Sequence, residues 1–203
     1  MLEVRNLECA RGDRTLFSNL SFSLHAGQLL HIVGSNGCGK TTLLRTVCGL
    51  TQPQAGHVLW QDTDIDELRE DYYQQLAHIG HLNGINGELS ALENLSFHAN
   101  IWTGRRHHNY DNILQQVGLS RVARLPTKLL SQGQKRRVAL ARLLTSTAPL
   151  WVLDEPLTAL DVATVDFIHE RLNEHISNNG MVIMTSHQTL SFEVDIIQTI
   201  ELN

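Results

Sequence analysis

Apolar residues are grouped along the chain in short runs that predict buried strands. Residues 29–33, 150–153 and 181–184 are almost wholly apolar. Continuous apolar runs of this length are typical of strands that are covered on both faces in a parallel sheet. The pattern predicts an α/β core that follows a β-rich N-terminal segment. Further strand candidates around the first run are residues 2–7, 20–24 and 58–60.

Helix signals fall between the strand candidates. Two capping boxes predict helix starts, because a serine and the residue three positions later can satisfy each other's backbone N–H groups. Ser90 forms one such pair with Glu93, and Ser131 forms the other with Gln134. The helix that starts at Ser131 is predicted to run to about Thr145. Glycine stop signals predict two more helices, over residues 40–48 and 110–117.

The glycine-rich segment after the first buried strand predicts a phosphate-binding loop. Residues 34–41 read Gly-Ser-Asn-Gly-Cys-Gly-Lys-Thr and lead into a helix. Glycines let the backbone turn its N–H groups around phosphates, and the helix N-terminus adds a positive dipole. Lys40 supplies a cation for the β- and γ-phosphates of ATP, and the Thr41 hydroxyl can bind Mg²⁺. The candidate ATP-binding residues are Gly34, Ser35, Asn36, Gly37, Cys38, Gly39, Lys40, Thr41 and Thr42.

Two carboxylates follow the buried strand at residues 150–153. Because open parallel sheets bind ligands at the carboxyl ends of their strands, Asp154 and Glu155 are predicted to face the phosphate loop. Asp154 can hold Mg²⁺, usually through water, and Glu155 suits a general base that orients an attacking water. The pair could instead be ordinary helix-capping acids. The phosphate loop in the same chain favours the catalytic interpretation.

Residues 130–134 read Leu-Ser-Gln-Gly-Gln at the start of the second capped helix. Ser131 can cap this helix, and the helix N-terminus can also be offered to a phosphate. With the following residues 135–142, the string resembles the signature of the ATP-binding cassette (ABC) ATPases, whose usual third glycine is here Gln132. The resemblance implies that Ser131, Gln132, Gly133 and Gln134 act on ATP held by a second copy, in a head-to-tail dimer that encloses two ATP molecules.

Two further segments resemble this family. Residues 159–161 resemble its D-loop, although Asp161 would also serve as an ordinary N-cap of the next helix. His187, which follows the strand candidate at residues 181–184, resembles the family's switch histidine that contacts the γ-phosphate. The resemblance therefore implies that Lys40, Glu155 and His187 carry catalysis and that Thr41 and Asp154 organise Mg²⁺.

The chain departs from the family pattern at two positions. The family commonly has an aromatic residue near position 11 that stacks on adenine, and Arg11 can stack there through its planar guanidinium. The glutamine that the family places between its subdomains falls at Leu82, or at His81 in another register. Leucine neither binds metal nor forms hydrogen bonds. Leu82 is therefore expected to pack at the groove between the subdomains, where a membrane subunit would dock.

Composition agrees with one domain. The chain has 203 residues, of which 42% are hydrophobic, and a formal charge of −5, which argues against a general nucleic-acid surface. No apolar run approaches the roughly 20 residues of a membrane-spanning helix, and the N-terminus lacks a signal-peptide core. Three cysteines without metal-ligand spacing fit a reduced cytosolic compartment.

The order of the motifs resembles the whole ABC ATPase layout. The resemblance implies an α/β P-loop NTPase with a RecA-like core, an N-terminal antiparallel β segment and an inserted helical subdomain. We expect a single ABC domain over residues 1–203. Its nucleotide core would cover about residues 1–83 and 146–203, and its helical subdomain about residues 84–145.

Strings spread over nearly the whole chain resemble one subgroup, the ATP-binding subunits of the haem exporter used in cytochrome c maturation. They include residues 14–17, 56–60 and 89–95. The resemblance implies ATP and Mg²⁺ as cofactors and the integral membrane subunits of that exporter as partners. It also implies a peripheral place on the cytoplasmic face of the bacterial inner membrane. The alternatives are another ABC exporter, a soluble ABC-type ATPase, and a nucleotide-dependent interaction module with little turnover.

Overall fold

The computed structural model describes residues 1–103, 109–186 and 196–202, and the contacts within the chain divide it into two units. We call the first the sheet unit, which comprises Met1–His78, Ala148–Glu155 and Leu172–Asn203. We call the second the helical unit, which comprises Ile79–Thr147 and Pro156–Arg171. The helical unit therefore includes residues 156–171 in addition to the inserted segment.

The strands of the described residues form two sheets. One is antiparallel, in the order β2-β1-β4-β5, and the other has the order β6-β7-β8-β3-β9. Strand bounds are β1 Leu2–Arg11, β2 Arg14–Leu24, β3 Leu29–Gly34, β4 Ala55–Trp60, β5 Thr63–Asp64, β6 Leu76–Ile79, β7 Leu150–Leu153, β8 Met181–Thr185 and β9 Ile197–Leu202.

The N-terminal strands are longer than the apolar runs that predicted them. Buried and exposed residues alternate in β1 and β2, as they do in antiparallel sheets with one solvated face. Val4 of β1 lies opposite Phe22 of β2 on one side and Val58 of β4 on the other, and all three side chains are buried. The sequence therefore located these strands, while the polar residues on their solvated face concealed their ends.

The second sheet brings the predicted phosphate loop and the two carboxylates to the same edge. Strands β3, β7 and β8 run parallel, with Ile32 paired to Thr185 and Leu153 paired to Met184. The carboxyl ends of these three strands therefore lie together, which brings the residues after Leu153 close to those after Gly34. Strands β6 and β9 had not been predicted from the sequence.

The helices begin and end largely where the capping signals predicted. The first-turn pair Ser90 and Glu93 forms its reciprocal hydrogen bonds, at 3.2 Å and 2.8 Å. The predicted helix to Thr145 is wrong in one respect, because the α-helix ends at Ala141 and the chain tightens into a 3₁₀ turn. Helix bounds are α1 Lys40–Val47, α2 Ile65–Leu68, α3 Glu70–Tyr73, α4 Ala91–Thr103, α5 Tyr110–Gln116, α6 Gln132–Ala141 and α7 Val162–Ser177.

Each unit has its own apolar core. In the sheet unit, Leu30, Leu43 and Ile183 are completely buried and join β3 and β8 to α1. In the helical unit, Leu95, Leu114 and Val138 are completely buried and join α4, α5 and α6. Among the described residues, none of the helices combines the length and the apolar character that a bilayer crossing requires.

Candidate functional site

The predicted phosphate loop connects the end of β3 to the start of α1. Gly34 has a φ of 144°, and a Cβ added there would collide with the backbone carbonyl of Leu202 and come within 2.8 Å of Cys38 Sγ. Gly39, the N-cap of α1, has a φ of 114°. A Cβ added to Gly39 would lie 3.1 Å from the Cβ of Leu16. Any side chain at either position would push the loop away from its neighbours, so the loop conformation requires glycine.

Lys40 is buried inside this loop although it carries a charge. Its side chain is 8% exposed, and Nζ donates hydrogen bonds to the carbonyl oxygens of Gly34, at 2.7 Å, and Ser35, at 3.0 Å. The loop therefore holds the ammonium group against its own backbone, at the N-terminus of α1. A positive charge fixed beside uncapped helix N–H groups favours binding of an anion.

Asp154 and Glu155 are joined to the phosphate loop by hydroxyl groups. Asp154 is 3% exposed, and its Oδ2 accepts a hydrogen bond from Thr41 Oγ1 at 2.8 Å. Its Oδ1 accepts another from Thr185 Oγ1 at 2.9 Å, and Thr185 Oγ1 in turn accepts from the Glu155 N–H at 2.8 Å. A single hydrogen-bonded set thus spans the ends of β7 and β8 and the start of α1.

Thr185 is the member of this set that sequence reasoning missed. It is completely buried at the end of β8 and contacts both carboxylate-bearing residues. The only sequence signal is a hydroxyl residue at the end of an apolar run. Glu155 itself has a φ of 47°, which is uncommon for a residue with a Cβ, and such strained backbone is concentrated at functional sites.

A cleft of about 180 Å³ opens above the loop. Most of the predicted ATP residues line it, whereas Cys38 is buried and Asp154 is hydrogen-bonded to the Thr41 hydroxyl. Arg11, the candidate for stacking on a base, is also at this cleft, together with Leu16, which the sequence had not indicated. The predicted residues that line the cleft are Asn36, Gly37, Gly39, Lys40, Thr41, Thr42 and Glu155.

The oxygen atoms of Thr41 and Asp154 fit a Mg²⁺ ion. Mg²⁺ prefers oxygen ligands and is usually held by one or two carboxylates together with the phosphates of its nucleotide. The hydroxyl and the carboxylate lie 2.8 Å apart beside the phosphate loop, so one ion can contact both. In the part of the chain that the structure describes, no group of three or more His, Cys, Asp and Glu side chains is arranged to hold a metal ion without such phosphates.

The signature residues start α6 in the helical unit. Ser131 Oγ accepts from the Gln134 N–H at 3.2 Å, and Gln134 Oε1 accepts from the Ser131 N–H at 2.9 Å, which confirms the predicted capping box. Ser131 and Gln132 are exposed. Gly133 packs against the carbonyl of Ala159, which an added Cβ would approach to 2.7 Å, so the signature helix and the D-loop touch within one chain.

Asp161 is the N-cap of α7. Its Oδ1 accepts a hydrogen bond from the Thr164 N–H at 2.9 Å, and hydrogen bonds from Thr164 and the nearby Arg137 hold the pKa of Asp161 below its ordinary value. The capping interpretation of this residue is therefore confirmed. Leu82 is 84% exposed in the helical unit. The predicted switch histidine, His187, lies outside the described residues.

Comparison with known proteins identifies the family of this chain. The ABC transporter family profile matches residues 17–158. The cytochrome c biogenesis ATP-binding export protein CcmA of Nitrosomonas europaea is 50% identical over 191 residues, which cover 94% of this chain and 90% of that protein. The protein of the same name from Escherichia coli strain K12 is 48% identical over 207 residues, covering 100% of this chain and 96% of that protein.

A solved structure with a related fold is a dimeric ATP-binding cassette in a post-hydrolysis state, bound to ADP and phosphate. It superposes with a TM-score of 0.83 at 22% identity, over 100% of this chain and 96% of that chain. The superposition confirms the fold class that the sequence motifs had indicated. The chain therefore belongs to the ABC transporter ATPases and, within them, to the group of cytochrome c biogenesis ATP-binding export proteins.

Proposed function

We propose that the chain is the ATP-hydrolysing subunit of the haem exporter complex for c-type cytochrome biogenesis. The names of the relatives at 48% and 50% identity support this pathway over other ABC exporters. The reaction converts ATP and water to ADP and phosphate, and its free energy drives release or transfer of a haem-loaded chaperone. The observation that carries the ATPase assignment is the hydrogen-bonded set of Thr41, Asp154, Thr185 and Glu155 beside the phosphate loop.

The phosphate loop binds the triphosphate of ATP. The backbone N–H groups of residues 35–42 surround the phosphates, and Lys40 moves its hydrogen bonds from the loop carbonyls to the β- and γ-phosphate oxygens. Thr41 and Asp154 would hold Mg²⁺, which when bound would supply positive charge against the phosphates. Since Asp154 is 3% exposed and fixed by two hydroxyl groups, its position changes little when the ion binds.

Glu155 acts as the general base of the hydrolytic step. It lines the cleft, and its backbone N–H is fixed by the Thr185 hydroxyl at 2.8 Å. A carboxylate held in this way can accept a proton from water as the water attacks the γ-phosphate. His187 contacts the γ-phosphate in this proposal on the strength of its place in the sequence.

The signature residues complete the site of a second copy. Ser131, Gln132, Gly133 and Gln134 start a helix without acidic residues in its first turn, a favourable place for a γ-phosphate. Ser131 and Gln132 are exposed there, and Gly133 and Gln134 are half-buried. Because one chain offers a phosphate loop and a signature, a two-fold symmetric dimer contains two complete sites. Asp161, which caps α7, would contribute at the dimer interface.

Integral membrane subunits of the exporter would bind this chain on the cytoplasmic side of the inner membrane and hold it there as a peripheral subunit. The exposed Leu82 offers an apolar contact for such a subunit. Closing and opening of the ATP dimer would then move the membrane subunits, which couples hydrolysis to export.

Deletion of this chain, followed by staining of c-type cytochromes for covalently bound haem, tests the pathway. We expect staining to disappear and to return with the wild-type chain but not with Glu155→Gln. Hydrolysis of Mg-ATP by the purified wild-type chain tests the enzymatic part separately. Fully haem-loaded cytochromes in the deletion strain, together with an active purified ATPase, would assign the chain to a different exporter.

A further inference from the structure

His31 interrupts the buried apolar run of β3. Its neighbours Leu30 and Ile32 are completely buried in the core of the sheet unit, whereas His31 is half-buried and points to the opposite face of the strand. Strand β3 pairs with β8 on one side and with β9 on the other, so the imidazole lies inside the sheet and not at its edge. Placing a polar ring there costs free energy unless a hydrogen bond replaces the lost water.

The hydrogen-bond partner of His31 is a main-chain carbonyl just after β8. Nε2 of His31 lies 3.2 Å from the carbonyl oxygen of Ser186. Because a carbonyl oxygen can only accept, Nε2 carries the hydrogen and donates it. The contact joins residues that are 155 positions apart in the chain. It connects the strand that leads into the phosphate loop to the end of the strand that carries Thr185.

Ser186 lies beyond the backbone pairing of β8. In the described part of the sheet, the pairing of β8 with β7 ends at Met184 and its pairing with β3 ends at Thr185. Past these points, side-chain hydrogen bonds continue the connection between the strands. His31 therefore holds the chain one residue beyond the last backbone pair of β8.

The residue before Ser186 belongs to the hydrogen-bonded set of the candidate site. Thr185 is completely buried, and its Oγ1 donates to Asp154 at 2.9 Å and accepts from the Glu155 N–H at 2.8 Å. Only the two soft dihedrals of Ser186 separate the carbonyl that His31 holds from the planar peptide unit that joins Thr185 to Ser186. A displacement of that carbonyl therefore moves the Thr185 hydroxyl relative to both of its partners.

The backbone of Glu155 depends on such support. Its φ of 47° is unfavourable for a residue with a Cβ, and a conformation of this kind persists only where the surrounding contacts enforce it. The Thr185 hydroxyl supplies one of these contacts, through the Glu155 N–H. A displaced Thr185 would let Glu155 relax toward an ordinary backbone conformation, which would turn its carboxylate away from the cleft that it lines.

We propose that His31 is a positioning residue of the hydrolytic site. By donating to the Ser186 carbonyl it fixes the end of β8, which keeps the Thr185 hydroxyl between Asp154 and Glu155. The inference rests on the proposed ATPase function, in which Glu155 activates water. Because His31 acts through Thr185, its loss should lower kcat and leave ATP binding at the phosphate loop intact.

Three substitutions of His31 test this role. His31→Gln places an amide N–H near the position of Nε2, whereas the shorter side chain of His31→Asn ends near the position of Nδ1, and His31→Leu removes the donor. Loss of one neutral buried hydrogen bond changes a rate by roughly two- to tenfold. We therefore expect kcat for Mg-ATP to fall by about this factor in His31→Leu and His31→Asn and to stay near the wild-type value in His31→Gln. KM and equilibrium binding of ATP should be unchanged in all three.

Hydrogen exchange at the Glu155 amide gives a readout that does not depend on turnover. This N–H donates to Thr185, so its protection, resolved by NMR without nucleotide, reports the hydrogen-bonded set directly. Exchange should be about two- to tenfold faster than in the wild type for His31→Leu and His31→Asn and unchanged for His31→Gln. The matched control is His25→Leu, the same change at an exposed histidine of the sheet unit, which should alter neither exchange nor kcat.

Combination with Thr185→Val determines whether His31 acts through Thr185. If it does, His31→Leu should have little further effect on kcat once the Thr185 hydroxyl is gone, because coupled residues are not additive. Multiplication of the two separate effects would overturn the proposal, as would equal losses in His31→Gln and His31→Asn. A lower melting temperature of His31→Leu with wild-type exchange at Glu155 would also overturn it and leave His31 with support of the sheet alone.

The two readouts distinguish failure of this inference from failure of the proposed function. If the wild-type chain hydrolyses ATP but exchange at Glu155 is the same in all His31 variants, the positioning role is wrong and the ATPase assignment stands. If exchange changes as expected but the wild-type chain does not hydrolyse Mg-ATP, the proposed function is wrong, and the role of His31 in hydrolysis fails with it.

Discussion

The phosphate loop and the signature segment are both helix N-termini, but they satisfy their backbone N–H groups differently. At the start of α1, the N-cap is Gly39, and no side chain of the described residues caps the helix there. At the start of α6, Ser131 and Gln134 form a complete capping box. The first end is left open for a ligand, whereas the second is closed by its own side chains.

The phosphate loop and the signature segment also differ in how deeply their residues are buried. Lys40 and Asp154 are 8% and 3% exposed and are held by hydrogen bonds within the sheet unit, whereas Ser131 and Gln132 are exposed. The phosphate loop is therefore preorganised for ATP in a single chain. In the proposed dimer, the signature would have to exchange its own cap for a phosphate that a second copy brings to it.

The largest expected effect comes from the preorganised site. Glu155→Gln keeps the shape of the cleft but removes the proposed general base, so we expect hydrolysis to fall by about 10²- to 10⁴-fold while ATP binding is retained. Steady-state ATPase assays and equilibrium nucleotide binding measure the two quantities. Glu67→Gln, an exposed change on α2, is the control and should leave both unchanged. Wild-type turnover in the Glu155 variant would show that another group activates water.

Mixed dimers test whether the two helix ends belong to one composite site. Lys40→Ala disables the phosphate loop and Ser131→Arg disables the signature, so neither protein alone should hydrolyse ATP. A heterodimer of the two retains one intact site. An equal mixture should therefore recover about a quarter of wild-type ATPase activity, since half of the dimers are mixed and each has one working site. No recovery above the separate variants would mean that each chain uses its own signature.

Thr185→Val tests the hydrogen-bonded set that orders the first site. The substitution keeps the shape of the side chain but removes the hydroxyl that contacts Asp154 and Glu155. A hydrogen bond to a charged group contributes about 1.5–3 kcal/mol, so we expect the free energy of unfolding and the ATPase rate both to fall. Thr185→Ser retains the hydroxyl and should restore most of the rate. Equal rates for the Val and Ser variants would remove Thr185 from the mechanism.

Two substitutions of Ser131 distinguish its role as a helix cap from its proposed contact with a phosphate of the second copy. Ser131→Ala removes the cap and should lower the free energy of unfolding by about 1 kcal/mol. Ser131→Asp keeps a good cap, and therefore the stability, but places a negative charge where the γ-phosphate of the second copy would lie. Denaturant unfolding and ATPase assays on both variants decide the matter. An active Asp variant would leave Ser131 with capping alone.

The phosphate loop and the two carboxylates could be predicted from the sequence because each consists of residues that are contiguous in the chain. Residues 34–41 and the pair Asp154 and Glu155 can be recognised without knowing which strands are neighbours. Thr185 could not be found in this way. Its role depends on the pairing of β8 with β7 and β3, which brings together residues far apart in the chain.

The helical unit shows the same limit. The capping box at Ser131 was predicted from spacing alone, but the hydrogen bonds of Arg136 to Gly80 and Asn83 join segments that no local pattern connects. The end of α6 at Ala141 was also missed, because the residues that follow are good helix formers and carry no glycine or proline stop. Strand β9 lies at the sheet edge, only its last residue, Leu202, is buried, and no continuous apolar run marks it.

Substitutions of Leu82 should have the smallest effect on the stability of the isolated chain. They test whether the helical unit, which carries the signature segment, also binds another protein. Because its side chain is 84% exposed, Leu82→Gln and Leu82→Asp should each change the free energy of unfolding by no more than about 0.5 kcal/mol. Their effects should differ when membrane subunits are present. An apolar contact of this residue, worth at most about 1.5–3 kcal/mol when fully buried, tolerates an uncharged amide better than a carboxylate, which must lose its hydration.

We therefore expect Leu82→Asp to reduce recovery of the membrane subunits in a pull-down and Leu82→Gln to reduce it less, with a modest change in ATPase activity for the latter. Leu129→Asp is a matched control, because Leu129 is also an exposed leucine of the helical unit, at 68%. Equal losses for the changes at positions 82 and 129 would indicate a broad apolar surface. Full recovery with Leu82→Asp would exclude Leu82 from the docking surface.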